Sequence, residues 1–140
     1  MRRGLAVGLL CSGLAACSVP SPFAVPTLPN PPGDLSADRQ ACNQQYPPRL
    51  GNYLPHAQCV NAAVERDAIP LARYPDIVRL QEQLRLKYSA QIDQQVISPR
   101  DGERKMAAAD ELVNAAIRDR DTGRQGVADH RVARLQAMLQ

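Results

Sequence analysis

The chain has 140 residues, 44% of them hydrophobic, with no Trp, one Phe and four Tyr, and a formal net charge of +3. That length holds one modest core. Without aromatics the core has to be built from Leu, Val, Ile, Ala and Met, which suits packed helices better than sheets, so the expected class is all-α. The charge is too small and too evenly mixed for a nucleic-acid surface, and no nucleic-acid partner is expected.

Residues 1–17 read MRRGLAVGLLCSGLAAC. Arg2 and Arg3 make a positive start, and the uncharged, mostly apolar run from Gly4 to Ala16 has the pattern of an export signal. As a helix that run rises only about 20 Å, short of a bilayer core, and Pro20 and Pro22 block its extension. The run ends in Leu14-Ala15-Ala16-Cys17, which resembles the lipobox of bacterial lipoproteins: an aliphatic residue, two small residues and the cysteine to be acylated. The resemblance implies that residues 1–16 are cleaved as a signal peptide and that Cys17 becomes a lipidated N-terminus, with membrane lipid as its first partner. The alternative is a plain secretory signal in which Cys17 is incidental. Ser18 follows the cysteine where an Asp would retain the protein at the inner membrane, so by the same resemblance the address is the outer membrane, facing the periplasm. Loss of the two leader arginines takes the formal charge from +3 to +1.

Residues 17–34 form the expected tether. Pro20, Pro22, Pro26, Pro29, Pro31 and Pro32 occur there with no charge before Asp34, a composition that favours extended polyproline II chain. A helical domain is expected over 35–140. Its first helix is capped by Ser36 and runs to about Gln45, ended by Tyr46-Pro47-Pro48. Gly51-Asn52 supplies a turn, and a second helix runs from about Tyr53 to Ile69, with a break expected between Pro70 and Pro75. From Asp76 to Ile97, the residues Ile77, Leu80, Leu84, Tyr88, Ile92 and Val96 mark one helical face, with Gln81, Glu82, Gln83, Arg85 and Lys87 outside it. Ser98-Pro99-Arg100-Asp101 carries the signals of a new helix start. Its face is Met106, Ala109, Leu112, Val113, Ala116 and Ile117. A weaker helix covers about Gln125 to Leu139 on Val127, Val132, Leu135, Met138 and Leu139. Gly123 and Gly126 leave open whether 99–139 is one helix or two.

After Cys17 only Cys42 and Cys59 remain, and in an exported chain such a pair is expected as a disulfide. In an antiparallel hairpin the two are nearly level, about 6 Å before the end of one helix and about 9 Å after the start of the next. A zinc site of Cys42, His56 and Cys59 is the sharper alternative, but no fourth ligand has suitable spacing. His56 and His130 are the only near-neutral acid-base groups, and neither sits in a nucleophile motif, so no catalytic residues and no cofactor are expected. Asp119-Arg120-Asp121-Thr122-Gly123 starts like a calcium loop, yet has Arg124 at the sixth position and His130 at the twelfth.

The lipobox, the Cys42-to-Cys59 hairpin with Asn61-Ala62-Ala63, the Arg73-Tyr74-Pro75-Asp76 corner and the helix closing at Ile97-Ser98-Pro99 resemble small helical lipoproteins of proteobacteria. This similarity spans about residues 40–105 and implies no activity. A fainter likeness, a cysteine pair stapling helices in an exported domain, is to periplasmic lysozyme inhibitors, whose cysteine spacing differs. The expected function is a non-enzymatic envelope lipoprotein that contacts an envelope protein or itself. An inhibitor-like binding module is the alternative.

Overall fold

The computed structural model describes residues 33–140. Cys17, the leader and most of the proline-rich segment lie outside the described residues. Within them the fold is all-α: α1 (Leu35–Gln45), α2 (Tyr53–Asp67), a 3-10 turn (Ile69–Leu71), α3 (Pro75–Asp93), α4 (Pro99–Asp121) and α5 (Gln125–Ala137). Each helix packs on its neighbours in sequence, and α5 also reaches α3.

Helices adjacent in sequence pair antiparallel. Asp38 near the start of α1 meets Arg66 near the end of α2, and Arg79 early in α3 meets Glu65 late in α2. Asp76 at the start of α3 pairs with Arg120 at the end of α4. The apolar residues divide into two clusters. Ile77, Leu84 and Tyr88 of α3 pack with Ala109, Val113 and Ala116 of α4 and Leu135 of α5. Cys42 of α1 packs with Cys59, Val60 and Val64 of α2. The Cys42–Cys59 disulfide sits inside that second cluster, with a Cα–Cα distance of 5.8 Å and both cysteines buried. The bridge takes both thiols that the zinc alternative would require.

The helix ends depart from the sequence reading in three places, each for a local reason, and one open question is resolved. The cap of α1 is Asp34 rather than Ser36: its Oδ1 accepts from the Ala37 nitrogen at 2.8 Å, the bond that an N-cap side chain makes. α2 stops at Asp67, and Ile69 to Leu71 tighten into the 3-10 turn around Pro70. α3 stops at Asp93, because Gln95 turns to a positive φ of 59°, and Val96 is consequently 64% exposed instead of lying on the core face. Residues 99–139 are two helices. Gly123 takes φ +72° just after α4, a conformation that glycine adopts without a Cβ clash. The expected α5 face is also rotated, since Ala128 is buried and Val127 exposed.

The start of α4 is as read: Ser98 accepts from the Asp101 nitrogen, with Pro99 in the first turn. Gly102 in that turn brings the α4 backbone against the Ile92 side chain, leaving no room for a Cβ.

Candidate functional site

Three acidic side chains that the periodicity placed outside the core, or left unassigned, are buried: Asp38, Glu82 and Asp119. Two are structural clamps. Asp38 pairs with Arg66, which also holds Asp67 at 2.7 Å; Asp67 Oδ1 in turn accepts from the Gly33 nitrogen at 2.9 Å. The clamp therefore ties Gly33, just ahead of α1, to the end of α2. Arg66 holds the Asp67 carboxyl down to about 2. Asp119 accepts from Arg131 and pairs with Arg124, each at 2.6 Å, tying α4 to α5, and these partners lower its pKa. Asp121 takes Arg73 and the Tyr74 hydroxyl, so both leading carboxylates of the calcium-like segment are occupied by protein donors.

Glu82 is different. It lies on the α2-facing side of α3, its Oε1 has no hydrogen-bond partner, and burial followed by the nearby Glu65 charge pushes its carboxyl up to about 7. Asn61 of α2 donates to the Glu82 carbonyl at 3.0 Å, and Arg85 donates to the Asn61 side-chain oxygen. The seam between the two apolar clusters is thus polar.

Two of the concavities among the described residues bear on function. The larger, of about 980 Å3, lies where α3 ends and α4 begins, closed by Leu50 on one side and Met138 on the other. Its floor includes Tyr88, Ile92 and Ile97, and Lys87, Arg104 and Lys105 stand around it. Lys105 sits over the Tyr88 ring, 5.6 Å from its centroid, and Lys87 donates to the Met138 carbonyl at 2.9 Å. This cleft is at the end of the bundle opposite Gly33, separated from it by the length of α3, about 28 Å.

The smaller pocket, of about 290 Å3, is polar and is lined from four helices: Arg39 and Asn43 on α1, His56 on α2, Gln81 and Arg85 on α3, and Asp110 on α4. His56 Nε2 lies 2.7 Å from Asn43 Oδ1, and Gln81 donates to Asp110 at 2.6 Å. Burial, then the charge of Arg85, lowers the pKa of His56. Sequence reasoning singled out His56 but neither arginine. The available signal was the four-residue spacing of Arg39 with Asn43 and of Gln81 with Arg85, which puts each pair on one helical face. His130, the second candidate, is exposed on α5.

Of the predicted site residues, Cys42 and Cys59 are joined, and Cys17 lies outside the described residues. Among the described residues no helix is long and apolar enough to cross a membrane, and no three His, Cys, Asp or Glu side chains gather as a metal site. The chain matches no family model, no curated protein and no solved structure.

Proposed function

We propose that this chain is an envelope lipoprotein, held at the outer membrane by acylated Cys17, whose helical domain is a non-catalytic interaction module. The observation that carries the reading is the buried Cys42–Cys59 bridge. A disulfide at the centre of a small core belongs to an oxidising compartment, and the N-terminal sequence supplies the route to one. Two acyl chains give lasting attachment, since each buried methylene contributes about 0.8 kcal/mol.

The surface offered to a partner is the large cleft. Its apolar floor and its Lys87, Arg104 and Lys105 rim complement an envelope-protein segment carrying apolar residues and carboxylates. Gly33 lies at the opposite end of the bundle, so an anchor joined through Gly33 leaves the cleft on the side away from the membrane.

Two measurements test the proposal. In cells fed a palmitate analogue, the full chain takes up label and sediments with outer membrane, whereas Cys17→Ser is unlabelled and soluble. Equal fractionation of the two, or a cell-derived protein still beginning at Met1, overturns the anchor. A photocrosslinker at exposed Leu50 or Val96 should trap a discrete envelope partner; a strictly monomeric protein with no crosslinked product overturns the interaction role.

A further inference from the structure

The small pocket between α1, α2, α3 and α4 has a charge arrangement that the packing alone does not call for. Arg39 of α1 and Arg85 of α3 both line it, and burial first, then the Arg39 charge, disfavours the charged form of Arg85. Neither forms an ion pair with a carboxylate among the described residues. Arg85 is half-buried and donates to the neutral Asn61 amide. The lining also holds the Asp110 carboxylate, which accepts from Gln81 and, like Glu82, attracts Arg85 without pairing with it; the Glu82 carboxyl is pushed up to about 7. The His56 imidazole faces the same space and loses affinity for its proton there, with burial the larger cause and Arg85 the second.

Like charges held together in a concave site are relieved by an anion between them, and paired guanidinium groups present forks of N–H donors that match the oxygens of phosphate and carboxylate. We propose that Arg39, Arg85 and His56 form a binding site for a small oxyanion, a phosphate or a carboxylate carried on a small molecule. The volume of about 290 Å3 admits such a group with a modest substituent. Asn43 and Gln81 supply neutral polar contacts at its margin, and Val60 is the apolar wall. The site is independent of lipidation and of the large cleft.

The two histidines make the test internal. In the full chain at fixed pH and ionic strength, the ring resonances of His56 and His130 are followed by NMR as inorganic phosphate, and separately acetate, replaces chloride. Saturable movement of His56 with His130 still is the expected result, and the titration midpoint of His56 rises by about one pH unit on occupancy, as an anion within reach of an imidazole requires. Response to phosphate alone identifies a phosphoryl ligand, and response to acetate alone a carboxylate ligand. Arg39→Gln, on an exposed residue whose loss leaves the core intact, weakens binding about tenfold, and Arg85→Lys does so while retaining charge but losing the fork. Parallel movement of both histidines, no movement with either anion, or unaltered binding in Arg39→Gln overturns the proposal.

Discussion

Asp93, the last residue of α3, caps the start of α2: its Oδ2 accepts from the Leu54 nitrogen at 2.7 Å, and its Oδ1 accepts from Gly51 at 2.7 Å and Tyr53 at 3.3 Å. Asn52, the residue in the capping position, makes no such bond itself. One carboxylate thus satisfies three backbone donors from forty residues away, at the positive end of a helix dipole. Asp93→Ala should lower stability by about 2 kcal/mol in urea unfolding, with Asp93→Asn losing less because its side-chain oxygen still accepts. Unchanged stability in Asp93→Ala would show that water replaces the cap.

The disulfide closes a loop of sequence separation 17. Replacing both cysteines by serine should cost about 3 kcal/mol, and reductant should shift the unfolding midpoint of the parent to that of the variant. A parent indifferent to reductant would contradict the bridge.

Glu82 sets a pH dependence. Its folded value of about 7 lies above the ordinary 4.5, so the folded state binds this proton more tightly than the unfolded chain. Stability is therefore greatest below about pH 4.5 as far as this group is concerned, falls between about 4.5 and 7, and is flat above, a change on the order of 2 kcal/mol. Glu82→Gln should flatten that slope and be more stable than the parent at pH 8. A parent whose stability rises steadily from pH 5 to 7 would refute the assignment.

Asp119 works in the other direction. Arg131 first, then the charge of Arg124, hold its pKa below the usual carboxylate value. The stability it brings is present above about pH 4 and lost as pH falls through the depressed value. Asp119→Asn should melt earlier than the parent at pH 7, with the two curves converging in strong acid. Parallel curves down to pH 2 would place the effect elsewhere.

Much of this architecture is legible along the chain. The apolar spacing of Ile77, Leu84, Tyr88 and Ile92 and the Ser98-Pro99-Asp101 start are local signals, and α3 and α4 obey them. The cysteines are level for the reason the hairpin geometry supplied. What periodicity cannot show is which polar residue ends up opposite which. Glu82 looks solvated on a helical wheel because the wheel knows only α3, whereas its burial comes from α2 lying alongside. Asp93 falls outside the apolar face of a helix expected to run to Ile97, and neither it nor Arg39 shows a partner until the register between helices is set. The four-helix pocket around His56 is likewise a product of that register, since no two adjacent residues in sequence belong to it.

Because the helices pack chiefly on their neighbours in sequence, assembly can proceed in chain order. Cys42 and Cys59 both lie in the hairpin of α1 and α2, so their bridge can close as soon as residues up to Asp67 are free to fold, before α3 to α5 have formed. The trailing helices then find a finished template whose two strands of chain are covalently held.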